Sequence, residues 1–273
     1  AKGRITREDI EAFVKSRLTL PRQSSGKPEL AGLPDWPQVD FAKFGPVDRI
    51  PLSRIARISG PALARNAMVI PHVTNFDTAD ITDLEEFRRS LNAEAGPGDA
   101  KVTMLAFAVK AIVASLKSYP KFNASLDADE LVIKQYWNIG VAADTPDGLV
   151  VPVIKEADKK GIREIAAEMA RLAEAARAGK IRAGDLEGAT FTISSLGGIG
   201  GTNFTPIINA PEVAILGMTR AETQPVWDGA TFQPRFIQPL SLSWDHRAVD
   251  GVAAARFLSY LARALSDFRR VSL

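Results

Sequence analysis

A tract rich in proline, glycine and serine early in the chain does most to limit what it can fold into. Between residues 19 and 44 lie Pro21, Ser24, Ser25, Gly26, Pro28, Gly32, Pro34 and Pro37. Proline fixes φ and removes a backbone donor, glycine carries the largest ordering entropy, and neither sustains a helix or a ladder. The tract reads as a tether, which divides the chain into a leading piece (1–18), a linker (19–45) and a main core (46–273). That core suits one domain, since single cores stop growing near ~250–300 residues. In the leading piece Thr6 caps a short helix whose residues Ile10, Phe13, Val14 and Leu18 share a face. One amphipathic helix cannot bury such a face alone, so this piece is expected to belong to a truncated small domain.

The core alternates helical and extended patterning. Residues 80–91 place Ile81, Leu84, Phe87 and Leu91 at helical spacing, and 102–116 is apolar nearly all round, as a buried helix is. Strands are predicted over 131–136, 138–144 and 149–155, the last two joined by a Thr145-Pro146-Asp147-Gly148 turn. Helical spacing returns over 162–178 through Ile162, Ile165, Met169 and Leu172. Strands follow over 189–194, 213–219, 223–227 and 232–244, with Asp228-Gly229 as a hairpin turn, and a helix over 252–266 closes the chain.

Composition excludes several functions. Lys and Arg number 34 against 32 Asp and Glu, a net charge of +2, too balanced for a nucleic-acid footprint. There is no cysteine, hence no disulfide, thiolate nucleophile or Cys-ligated metal. No apolar run approaches the ~20 residues of a membrane span, and the N-terminus lacks the plan of a signal peptide, so the chain reads as cytoplasmic or organelle-matrix. The glycines of 196–201 end in neither Gly-Lys-Ser/Thr nor Gly-x-Gly-x-x-Gly, which leaves them as a turn and not a nucleotide loop.

Imidazole chemistry has two candidates, His72 and His246. His72, between Pro71 and Val73, reads as a hydrogen-bonded core residue. His246 follows the alternating run 239–244 and precedes a helix, where a side chain can enter a cleft. Taken alone, a histidine after a strand is more often structural, and Ser194 at a strand end is more often a satisfied turn residue. Asp83, Glu85 and Glu86 read as the solvated face of their helix.

The string His246-x-x-x-Asp250-Gly251 resembles the signature shared by the dihydrolipoamide acyltransferases and the chloramphenicol acetyltransferases. The resemblance to the first family extends through residues 41–45, 52–55, 70–74, 80–84, 144–149, 191–197 and 210–217. Residues 2–9 are also similar to the end of the peripheral-subunit-binding domain that precedes the core in that family. It implies an α/β fold of the chloramphenicol-acetyltransferase type, a two-layer sandwich of a mixed sheet with flanking helices. It further implies acyl transfer between thiols, in which His246 is general base and the Ser194 hydroxyl donates to the oxyanion, Ser195 being the nearest misassignment. Such chemistry needs a base because the thiolate is the nucleophile and a thiol pKa near ~8.5 leaves little of it at neutral pH. An oxyanion donor is commonly worth ~3–4 kcal/mol. Asp250 completes the implied site, either capping the next helix or securing the loop through Arg54 or Arg65, roles placed above direct proton transfer.

The same resemblance implies coenzyme A as a substrate, no cofactor bound by this fragment, and lipoate on an upstream domain. It implies a homotrimer whose sites lie between subunits, His246 and Asp250 from one chain and Ser194 from the next, assembled into a larger cubic or icosahedral core. Residues 52–89 look like acetyl-transferring members of pyruvate dehydrogenase complexes. The implied partners are therefore a lipoyl domain carrying acetyl-dihydrolipoamide and the pyruvate dehydrogenase and dihydrolipoamide dehydrogenase components. The alternatives are an acyltransferase of a related 2-oxo acid complex, a free-standing antibiotic-type acetyltransferase and a largely structural scaffold.

Overall fold

In the computed structural model, which describes residues 36–272, a seven-stranded sheet is organised around one long strand. The helix expected after Thr6 and most of the linker lie outside the described residues. The chain divides after Pro51 into two units. The described part of the first contains a single 3-10 turn, Phe41–Lys43, closed by Lys43 and Phe44 amides donating to the Asp40 and Phe41 carbonyls.

The second unit runs in the order α1 (Arg54–Val69), β1 (His72–Asp80), α2 (Thr82–Ala93), α3 (Met104–Ser118), β2 (Ala124–Asp127), β3 (Glu130–Ile133), β4 (Ile139–Val141), β5 (Val153–Ile154), α4 (Ile162–Arg177), β6 (Phe191–Ser195), β7 (Ala214–Met218), β8 (Glu222–Trp227), β9 (Phe232–Asp245) and α5 (Gly251–Ser266). The sheet order is β1-β9-β7-β6-β4-β5, with β8 paired to the outer half of β9 and β2-β3 a separate hairpin. Strands β7, β6 and β4 run parallel while β1, β9 and β5 meet their neighbours antiparallel, so the sheet is mixed as expected.

Period-two alternation sorts the sheet into two faces. Phe191 and Ile193 of β6, Leu216 and Met218 of β7, and Leu240, Leu242 and Trp244 of β9 join the main core. Above them lie α3, apolar on nearly every side and buried from Ala106 to Val109, and the Phe257, Leu258 and Leu261 face of α5. Burying each such large side chain stabilises the fold by roughly 1.5–3 kcal/mol. The reverse face carries Thr192, Ser194, Ser241, Ser243 and a small cluster of Ile70, Ile208 and Ile215. Polar residues therefore line one side of a sheet whose other side is oily.

Three elements, α1, β1 and β2, escape the sequence patterning. Helix α1 runs through Gly60-Pro61, a pair that normally signals a break, and is started by Ser53, whose hydroxyl accepts from the Ala56 amide at 3.1 Å. Strand β1 buries only Ala79 and carries Thr74, Asn75, Asp77 and Thr78, because as an edge strand it is held by nine paired positions along β9 and needs little apolar signal. The predicted strands at 131–136, 138–144 and 149–155 shorten to β3, β4 and β5, and the turn between the last two closes with Gly148 donating to Thr145 at 3.0 Å. The expected hairpin at Asp228 forms; its carboxylate accepts from the Ala230 and Thr231 amides at 2.8 Å, which holds the acid down to about 2. Glu85 departs from the expected solvated face. Its side chain bonds Arg88 at 2.7 Å and Arg89 at 2.8 Å, whereas Asp83 is exposed.

Candidate active site

Where β9 ends, four hydrogen bonds shape the turn that presents His246. The Asp245 amide donates to Val213 O (2.9 Å), the His246 amide to Pro71 O (3.2 Å), and the Ala248 and Val249 amides return to Asp245 O at 3.0 and 3.1 Å. The Asp245 side chain, 2 % exposed, accepts from the Arg247 amide (2.9 Å) and from its guanidinium at 3.0 and 2.7 Å. A carboxylate that is fork-bonded in this way fixes the residues on both sides of the imidazole. The His246 ring packs on buried Trp244, centroids 4.8 Å apart, and is otherwise exposed. Trp244 is itself pinned by its indole N–H donating to Asn75 Oδ1 at 2.8 Å.

Asp250 caps α5: its Oδ1 accepts from the Ala253 amide at 2.9 Å. That bond holds its carboxyl below the usual carboxylate range, with Lys121 and His246 close enough to add to the effect. Of the two arginines weighed as partners for Asp250, Arg65 is engaged elsewhere, donating to Asn66 Oδ1 at 2.8 Å.

Ser194 sits at the other end of the sheet. In register it faces Gly217 of β7, which faces Ser241 of β9, five positions before His246. At ~3.3 Å per residue that is roughly 16 Å along the sheet. Ser194 is half-buried, and among the described residues its hydroxyl makes no hydrogen bond. Beside it the Phe204 ring packs directly on Gly217, where a Cβ would come within 2.8 Å of that ring. Ser195 points to the opposite face, lining a cavity of about 500 Å³ with Met104, Met169, Met218 and Gln238. Alternation along β6 thus separates the two serines, which spacing in the sequence leaves ambiguous.

His72 is structural in geometry: its Nε2 accepts from the Ile208 amide at 3.0 Å, which leaves Nδ1 to donate to Ile70 O at 2.9 Å. Both nitrogens are engaged, as expected, although the ring is half-buried at the start of edge strand β1 and not in the core. The structure therefore brings His246 and Asp250 onto one turn and keeps Ser194 of the same chain apart from them. Sequence reasoning did not single out the Asp245–Arg247 clamp, though both residues flank His246, nor buried Glu212. Among the described residues no group of three or more His, Cys, Asp or Glu could hold a metal, and no helix is long and apolar enough to cross a membrane.

Comparison with known proteins agrees with this architecture. Residues 44–273 match the family described as 2-oxoacid dehydrogenases acyltransferase (catalytic domain). The acetyltransferase component of the pyruvate dehydrogenase complex of Cupriavidus necator is 58% identical over 280 residues, covering 100% of this chain and 50% of that protein. The chain thus spans about half the length of the relatives it matches. Two solved structures superpose with a TM-score of 0.87 at 51% identity, covering 88% of this chain and 100% of theirs. One is the cubic core of a pyruvate dehydrogenase multienzyme complex; the other belongs to a study of a serine, a histidine and an asparagine in catalysis by the Azotobacter vinelandii dihydrolipoamide acetyltransferase. Chloramphenicol acetyltransferase, at 13% identity and a TM-score of 0.50, shares the fold alone. With the family matched over most of its length, the chain belongs to the 2-oxoacid dehydrogenase acyltransferases and carries their catalytic domain.

Proposed function

We propose that this chain transfers an acetyl group between the thiol of a dihydrolipoamide and that of coenzyme A, in the core of a pyruvate dehydrogenase complex. His246 takes the proton from the attacking thiol, and the thiolate adds to the thioester carbonyl. The oxyanion then accepts a hydrogen bond from the Ser194 hydroxyl of a neighbouring copy. Collapse breaks the old carbon–sulfur bond, and the departing thiolate recovers the proton from His246. No covalent intermediate on the protein is needed, which fits a chain without cysteine.

One observation carries this reading: an exposed imidazole on a fully bonded turn coexists with a hydroxyl, unbonded among the described residues, that lies two strands across and roughly 16 Å further along the sheet in the same chain. Neither completes the other within one copy, and a cyclic assembly of copies supplies what each lacks. Spacing supports it as well. In the Azotobacter vinelandii enzyme the studied serine lies 52 residues before the histidine and the asparagine four residues after it, as Ser194 and Asp250 do around His246. Aspartate and asparagine both accept a first-turn amide, so the difference at Asp250 leaves its cap intact.

The partners proposed are coenzyme A, a lipoyl domain carrying the acetyl group, and the pyruvate dehydrogenase and dihydrolipoamide dehydrogenase components. Residues 1–18 are proposed as a remnant of a subunit-binding domain, 19–45 as its linker and 46–273 as the catalytic core, trimeric and built into a cubic particle. Turnover of acetyl-CoA with dihydrolipoamide, set beside succinyl-CoA and branched acyl-CoA, tests the substrate assignment. Acetyl is expected to be fastest, and faster succinyl turnover overturns the choice.

A further inference from the structure

Behind the His246 turn lies a carboxyl that the mechanism does not use. Glu212, 3 % exposed, accepts at Oε1 from the Thr192 hydroxyl (2.8 Å) and the Asn209 side-chain amide (3.0 Å). Its other oxygen, Oε2, is buried without a hydrogen-bond partner among the described residues. Glu212 also borders a cavity of about 200 Å³ lined by Arg65, Asn66, Leu126, Asp245 and Arg247.

Its connections reach both halves of the site. Thr192 is two residues before Ser194 on the same face of β6, so the Thr192–Glu212 bond anchors the strand that carries the oxyanion donor. The next residue, Val213, receives the Asp245 amide, and Asp245 grips Arg247 on the far side of His246. We propose that Glu212 is a positioning residue for the acetyl transfer, holding the Ser194 strand and the His246 turn in fixed relation; the proposal rests on the function proposed above.

Burial pushes its carboxyl up to about 7, against the bonds from Thr192 and Asn209, so the neutral acid is the form present below neutrality. The charged groups near it are Lys134 after β3, whose charge acts on it directly, and, across the shared cavity, Arg65 of α1, Asp245 at the end of β9 and Arg247 just beyond it. Once ionised, Oε2 draws on those cations. Across the cavity it competes with Asp245 for Arg247, the residue that braces the turn beneath His246.

The test uses the full chain as the assembled protein, with E212Q and E212A. The Gln variant keeps an oxygen for Thr192 and Asn209 and cannot ionise. The ratio of wild-type to E212Q kcat cancels pH effects common to both proteins. It is expected to fall about threefold from roughly pH 6 to pH 8.5, with a midpoint near 7 and KM changed less than about twofold. E212A is expected to lose about tenfold in kcat with the assembly mass unchanged. A pH-independent ratio, or E212A at wild-type kcat, overturns the positioning role while the function stands. An E212Q protein that fails to assemble also overturns it, by making the role one of stability. A wild-type protein without acetyl transfer overturns the proposed function, and the role of Glu212 with it.

Discussion

The two ends of the polar sheet face are built in opposite ways. At the end of β9 every neighbour of His246 is bonded: Asp245 to Val213 and Arg247, the His246 amide to Pro71, and Asp250 to the first turn of α5. At the end of β6 the Ser194 hydroxyl has no hydrogen-bond partner among the described residues, and the Phe204 ring packs on the glycine at position 217 beside it. A general base works best when its orientation is settled in advance, because each misaligned angle is charged to the barrier. An oxyanion donor must keep its proton free for a group that exists only in the transition state. On the proposed roles, the bonded turn at one end and the unbonded hydroxyl at the other answer two different catalytic needs.

Removing the base should have the largest effect. His246→Ala is expected to lower kcat for acetyl transfer by about 10³-fold with the assembly intact by native mass, and unchanged activity breaks the account at once. Ser194→Ala should lower kcat by about 10²-fold, with KM little altered, since its bond forms in the transition state. A loss confined to KM assigns Ser194 to substrate binding instead.

The joint between the two ends is tested by stability. Glu212 has a folded-state pKa of about 7 against an ordinary 4.5, so over that interval the folded state holds the proton that the unfolded chain releases. Its contribution is fully present below about pH 4.5, declines as pH rises and is lost above 7, a change of roughly 3 kcal/mol. Unfolding free energies of wild type and E212Q across that range should therefore differ in slope, and parallel curves contradict the burial of an acid there. The smallest effect belongs to Asp250. Asp250→Asn keeps an acceptor for the Ala253 amide and should change kcat less than about threefold, whereas Asp250→Ala removes the cap, worth ~1 kcal/mol of stability. A Asn variant as impaired as Ala gives the charge a role beyond capping.

How much of this was legible in the sequence differs along the same divide. Helices α2 to α5 were visible because their burial follows a period that residues such as Ile165, Leu172, Phe257 and Leu261 repeat. Helix α1 was hidden by Gly60-Pro61 and β1 by its polar edge; the first is tied to distant chain by Asn66 donating to Ile208 O, the second by pairing along β9. His246 and Asp250 could be named because they share one short string. Ser194 could be named only through a resemblance, since nothing local separates it from Ser195; the two part only when β6 is placed in the sheet. Glu212 and Asp245 gave no signal, because a buried carboxylate is recognised by the donors that converge on it, and those come from Thr192, Asn209 and Arg247.

The separation of His246 from Ser194 within one chain makes the central claim open to a mixing experiment. Chains carrying His246→Ala and chains carrying Ser194→Ala are each expected to be almost inactive, and are to be co-assembled in equal amounts. If each site joins two copies, random mixing gives about a quarter of the sites an intact pair, and kcat per site should return to about a quarter of wild type. If both residues served one chain, every site would keep one lesion, and the mixture would show no more than the average of its two parents.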